Sequence, residues 1–180
     1  MENLLVKEPP KPQEPQGSDV KRFLASRGLL IIKEFRPVNV VRCDYGTNIS
    51  LSTVIISTMA TAATPNKVTF GVKFEMQTAD ERESSAFLDL DEVGEVVAAL
   101  DYIHQLSLDM ANQKRDYTEI DFVTKDDITF GFFQKDSSQR AFIRLDSFNG
   151  LASLDLPTLE FVKRNLIWAQ DFLQSKGAVV

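Results

Sequence analysis

Between Lys67 and Gln77 apolar and polar residues alternate: Val68, Phe70, Val72, Phe74 and Met76 share one face, and Thr69, Gly71, Lys73 and Glu75 the other. A period of two is the signature of a half-buried strand. Three further strand-like runs surround it. Leu29 to Asp44 carries Leu30, Ile32, Val38, Val40 and Val41, interrupted by Pro37, which has no N–H and so implies a bulge, an edge or two short strands. Ile49 to Met59 is rich in β-branched residues, which favour a pleated surface. Ser84 to Leu90 follows the polar hairpin loop Thr78 to Glu83. Turns are expected at Gly46–Asn48 and Thr64–Asn66.

The period then changes. From about Asp91, which with Glu92 and Glu95 suits a helix N-terminus, Val93, Val96, Val97, Leu100, Ile103 and Met110 recur at helical spacing. The same succession repeats downstream. Tyr117–Thr124, Ile128–Gln134, Arg140–Leu145 and Leu151–Leu156 read as strands, with turns at Lys125–Asp127, Asp136–Gln139 and Asn149–Gly150. A helix from Pro157 to Gln174 carries Leu159, Val162, Leu166, Ala169 and Leu173, widened by Phe161, Trp168 and Phe172. In the second half Ile120, Phe122, Ile128, Phe130, Phe132, Ala141, Ile143 and Leu145 are expected inward, and Arg140, Phe142 and Arg144 outward. A short helix, Asp19 to Arg27, capped by Ser18 and stopped by Gly28, precedes the first strand.

The fold class that follows is α+β: antiparallel sheet from two four-strand-plus-helix halves, with two long amphipathic helices packed on it. Residues 1–17, with four prolines and little to bury, are expected to form a disordered or polyproline-like tail. Residues 18–180 form one domain, with an internal repeat over 29–113 and 114–176. Each half ends Leu-Asp-Leu, at 88–90 and 154–156, directly before a helix. Asp89 and Asp155 read as solvent-facing residues that favour the following helix N-termini rather than as a catalytic pair.

Four strands then a helix, twice, resembles the Whirly family and the transcriptional positive-cofactor family, which bind single-stranded nucleic acid. The resemblance covers element order over residues 29–175. The lysine- and glycine-rich strand motif of the Whirly family is not matched; the nearest residues are Lys67, Gly71 and Lys73.

Charge shifts the picture away from nucleic acid. The 180 residues carry a formal net charge of −6, which opposes whole-surface attraction to phosphate backbones. Segregation is pronounced: residues 20–43 hold six basic residues and one acid, and residues 75–109 ten acids and one base. Such asymmetry favours self-association or a charged partner, unless folding intermixes the two.

Candidate chemistry is sparse. Cys43 is the single cysteine and His104 the single histidine. They exclude zinc sites of the usual kind and read as a small buried hydrophobe and a structural or solvent-facing side chain. The acidic stretches lack the spacing of a calcium loop, and no phosphate-binding or nucleophile-elbow motif is present. No catalytic, cofactor or metal residue is assigned, and no cofactor is expected. No apolar run reaches the roughly 20 residues that span a bilayer, and a cytoplasmic protein without membrane association is expected. Two functions follow. The first is a non-catalytic binding or assembly module with a protein partner or a second copy. The alternative is single-stranded nucleic-acid binding, with Arg22, Arg27, Lys33, Arg36 and Arg42 on phosphates and Phe35 or Tyr45 stacking on bases. An enzyme with an unrecognised site ranks third.

Overall fold

The computed structural model describes residues 17–59, 66–145 and 150–179. The Pro-rich tail (residues 1–16), most of the turn at 64–66 and Asn149 lie outside the described residues. Two antiparallel meanders form two four-stranded sheets. The first is β1 (Ile31–Arg42), β2 (Asn48–Thr58), β3 (Val68–Gln77) and β4 (Glu83–Asp89), in that spatial order. The second is β5 (Arg115–Val123), β6 (Ile128–Asp136), β7 (Ser138–Leu145) and β8 (Leu151–Leu154). Among the described residues three α-helices accompany them: α1 (Asp19–Leu24), α2 (Val93–Met110) and α3 (Leu156–Ser175).

Both long helices have the expected stripes, but each lies mainly against the other half's sheet. α2, which follows the first sheet, packs on β5 and β6; α3, which follows the second, packs on β1, β2 and β3, and also touches β7. The helices also pack on one another. One continuous core results, joining Val72, Phe74 and Leu88 to Phe130, Phe132 and Ile143 and to Val96, Leu100, Leu166 and Leu173. Phe74 and Phe130 meet edge-on, with centroids 5.7 Å apart, across the boundary between the sheets.

Pro37 produces two of the features that its missing N–H allows. β1 is an edge strand, and its pairing with β2 shifts register between Pro37 and Asn39. β3 keeps its alternation, but toward the β2–β3 loop the inner face emerges from the core: Phe70 is half-buried and Val68 exposed.

Three local expectations are corrected. α1 ends at Leu24, not Arg27. Ala25, Ser26 and Arg27 are exposed, so nothing holds a further turn against the sheet, and the Ser26 hydroxyl donates to the Arg22 carbonyl. α1 is the third helix of the fold, and it covers the outer face of the first sheet. There Val20 and Phe23 are buried with Val54 and Ile56, and a Cβ at Gly71 would come within 2.7 Å of Val20 Cγ2. The capping residue before α2 is Asp89 rather than Asp91, through a 3₁₀ turn at Leu90–Glu92.

Asp89 is also the third correction, because it is buried rather than solvent-facing. Its carboxylate accepts the backbone N–H groups of Asp19 (2.6 Å) and Val20 (3.0 Å), 70 and 69 residues away. Asp155, its counterpart, does as expected: it is exposed and accepts the Thr158 N–H at 2.8 Å. The two Leu-Asp-Leu junctions thus share a position in the fold and a capping role, and Asp89 alone of the two also receives the N-terminus of α1.

Candidate binding groove over the second sheet

The register of β5, β6, β7 and β8 puts Tyr117, Glu119, Phe133, Arg140, Phe142, Arg144, Leu151 and Ser153 on the face turned away from the core. Three of these are aromatic. Phe133 stacks on Tyr117 at 6.1 Å and meets Phe142 at a tilt, with centroids 6.4 Å apart, a continuous run of rings. Phe142, which alternation sets opposite to the inward residues of β7, is only 3% exposed. It lies over Gly131, where a Cβ would come within 2.8 Å even of the ring carbon Cε2. The glycine is what lets an aromatic ring lie flat on the sheet.

The first half supplies the remaining wall. The β1–β2 connection is a tight turn, Asp44–Gly46, closed by the Cys43 N–H to Thr47 carbonyl bond at 2.8 Å. Its Asp44 carboxylate accepts the Ser153 hydroxyl at 2.9 Å and lies 3.6 Å from Arg140. The turn is therefore fastened to β8 and β7. Tyr45, at its tip, has φ of +57°, in the left-handed region that bulky residues rarely occupy, and the residue is 88% exposed. Together these residues line an open groove of about 300 Å³.

The electrostatics of the groove are balanced. Arg140 faces Asp44, and Arg144 lies 3.7 Å from Glu119 while covering the Phe142 ring at 5.4 Å. The Tyr117 hydroxyl donates to Glu119, which pushes its pKa up from the ordinary phenol value. Two cations and two carboxylates rim an aromatic floor, with Leu151 and Tyr117 each 56% exposed.

Of the seven residues expected to contact nucleic acid, only Tyr45 lies in this groove. Lys33, Phe35 and Arg42 lie on the outer face of the first sheet, paired opposite Ile56, Val54 and Asn48. Lys73 covers the Phe35 ring there at 5.6 Å. A separate pocket on that sheet is lined by Ser50, Glu75, Met76, Gln77, Glu83, Ser84 and Ser85, with no cation among them. Arg36 points to the opposite face, 4.5 Å from the Phe172 ring and 5.8 Å from that of Trp168, which stack on each other. Arg22 is held by Asp19 and, at 2.9 Å, by the Gly17 carbonyl. Arg27 is exposed in the α1–β1 link. The basic segment is thus spread over two faces and a helix. Much of the acidic segment is paired elsewhere: Asp91 with Lys125, and Asp101 with Lys163.

The remaining chemistry is accounted for by structure. Burial and the neighbouring Asp44 push the Cys43 thiol up to about 11, so it is protonated at neutral pH and a poor nucleophile. His104 is exposed on α2 beside Leu100, Leu156, Leu159 and Glu160. Asp89, Asp91 and Glu92 bring carboxylate oxygens within 4.8 Å of one another. Those oxygens already accept from the N–H groups of Asp19, Val20, Asp89 and Lys125 and from the Lys125 ammonium. Among the described residues no helix is long and apolar enough to cross a membrane. No protein-family model and no curated protein matches the chain.

Proposed function

We propose that the protein is a non-catalytic binding module that takes a segment of a protein partner in the groove over its second sheet. The observation that carries this reading is the composition of the groove: exposed tyrosines and a run of phenylalanines, rimmed by arginines that each face a carboxylate. Tyrosine and arginine around a central aromatic floor are the residues that dominate protein interfaces. A phosphate approaching either arginine meets a carboxylate alongside it, so the backbone attraction that drives nucleic-acid binding is cancelled locally. The net charge of −6 acts in the same direction.

Selection from a displayed peptide library tests the reading. The protein should enrich peptides with aromatic or long aliphatic anchors. Tyr117→Ala or Tyr45→Ala should weaken the selected peptides about tenfold or more, as loss of an interface anchor does.

The second reading is single-stranded nucleic-acid binding, in keeping with the Whirly-like order of elements. It is favoured by one feature, the Tyr117–Phe133–Phe142 ring run on a sheet face, since bases stack on such platforms. Fluorescence anisotropy with random single strands separates the two readings. Only weak binding is expected at physiological salt. Sub-micromolar affinity that is lost in Arg140→Glu, with no peptide enriched, would reverse the order.

A further inference from the structure

We infer that two copies of this chain pair through the free edge of β1, antiparallel about Phe35, and so join their first sheets into one eight-stranded sheet. The inference concerns the opposite sheet from the groove and does not rest on the reading of that groove.

β1 is twelve residues long, and among the described residues it pairs only with β2. An unpaired strand edge is a template for another strand. This one also exposes apolar side chains, Ile32 45%, Phe35 46% and Val40 55%, with Leu30 66% directly before it. The hydrogen-bonding groups of the open side can be assigned. The Leu30 carbonyl accepts the Met59 N–H at 3.2 Å, and the Arg36 carbonyl accepts the Thr53 hydroxyl at 3.5 Å, so even-numbered groups face β2. By alternation the N–H and C=O groups of Ile31, Lys33 and Phe35 face outward. Pro37 shares that side, so its missing N–H falls on the free edge and its carbonyl remains available.

Side-chain charge then selects the register and the partner. A two-fold antiparallel pairing about Phe35 sets Phe35 against its own copy and Glu34 against Arg36 of the other chain, twice. Shifting the centre to Glu34 opposes two glutamates; shifting it to Lys33 or Arg36 opposes two lysines or two arginines. Directly opposed like charges destabilise a sheet pair and opposite charges stabilise it. Only the Phe35-centred arrangement, of these four, is complementary, and the sequence complements itself. Lys33 and the bulge after Pro37 blunt the rest of the edge, which confines the pairing to a short stretch around Phe35. The dimer is accordingly reversible rather than obligate.

Sedimentation or light scattering of the full chain tests this. The mass should rise with concentration from 20.2 kDa toward twice that value. Glu34→Arg alone and Arg36→Glu alone should each stay monomeric at concentrations where the parent dimerises. An equimolar mixture of the two should dimerise again, because each introduced charge then faces its opposite. A second measurement does not depend on charge. Phe35→Cys in a Cys43→Ser background should cross-link under copper–phenanthroline, since the two-fold axis brings those Cα atoms to about 5.5 Å, within disulfide reach. Val40→Cys, as exposed but far from the axis, should not. A parent that stays at 20.2 kDa up to its solubility limit would overturn the inference. So would single variants that dimerise like the parent, a folded mixture that stays monomeric, or cross-linking at Val40 as fast as at Phe35.

Discussion

Tyr45 and Phe142 show how a side chain's setting differs from its place in a pattern. Tyr45 was legible in the sequence as an exposed aromatic, because it sits in a turn before Gly46. What it faces was not legible, since Asp44 fastens that turn to Ser153 across 109 residues. Phe142 falls on the outward positions of β7, and alternation alone assigns such a residue to solvent. The signal that would have found it is the glycine at position 131, on the neighbouring strand and directly opposite in register. Gly131→Ala should therefore displace the Phe142 ring and cost about 1–3 kcal/mol, the usual penalty of overpacking. Urea unfolding measures it, and an unchanged midpoint would mean the ring moves freely. Asp155 gives a contrasting case with a defined pH sense. The Thr158 hydroxyl and N–H hold its carboxyl below the ordinary value of 3.8. A group with a lowered folded-state pKa contributes stability above its ordinary pKa and loses it as pH falls through the lowered value. Asp155→Ala should cost about 1 kcal/mol near neutral pH, the usual worth of a helix cap. The difference from the parent should vanish in strong acid, and a difference that persists there would assign the loss to packing instead.

Elements were the most legible level, because each is dictated by a local signal. Alternation gave β3, β6 and β7, helical spacing gave α2 and α3, and Pro37 narrowed its segment to a bulge, an edge or two short strands, of which the structure has the first two. The miss at this scale is where α1 ends and what holds it. Its cap Ser18 is local and was readable, and the Ser18 hydroxyl accepts the Lys21 N–H at 3.1 Å. Its other supports are the buried carboxylates of Asp89 and Asp126, which come from distant strands and turns; Asp126 accepts the Lys21 ammonium at 2.6 Å and the Phe87 N–H at 2.9 Å. No periodicity encodes such partners. Asp89→Ala removes the acceptor of two N–H groups, so amide exchange over residues 19–24 should accelerate while that of β6 and β7 stays protected. Equal acceleration everywhere would mean that Asp89 supports the whole fold rather than α1. The same junction carries a pH signature opposite to that of Asp155. Burial is the largest influence on both Asp89 and Glu92 and raises their pKa values above the ordinary 3.8 and 4.5. The folded state then holds protons that the unfolded state has released, so these groups lower stability as pH rises from the ordinary carboxylate range through the raised values. Glu92→Gln should flatten that decline in a series of urea midpoints, and a slope as steep as the parent's would place the burial cost elsewhere.

At the scale of the whole molecule, the order of elements was legible but their destinations were not. An apolar stripe states that a helix is buried; it does not say against which sheet. Here α2 and α3 exchange partners, so that each half is completed by the helix of the other. The exchange makes a single core out of two meanders, and it brings the β1–β2 turn over the second sheet, where Tyr45 joins the groove. Two separate domains would melt separately; a shared core should not. Phe74 and Phe130 test this directly, since both are fully buried and meet edge-on between the sheets. Truncating a buried phenylalanine costs about 3–5 kcal/mol through lost burial and the cavity left behind, and an aromatic pair adds about 0.5–1.5 kcal/mol beyond area. Phe74→Ala, in the first half, should lower the stability of both halves together. Two probes resolve them: Trp168 fluorescence reports α3, and exchange at the β2–β3 amides reports the first sheet. Under denaturant the two transitions should coincide in the parent and remain coincident in Phe74→Ala and in Phe130→Ala, at a reduced midpoint. If Phe74→Ala melted the first sheet while α3 stayed folded, the core would be two cores in contact. The exchanged helices would then be a packing detail rather than the reason the halves fold as one.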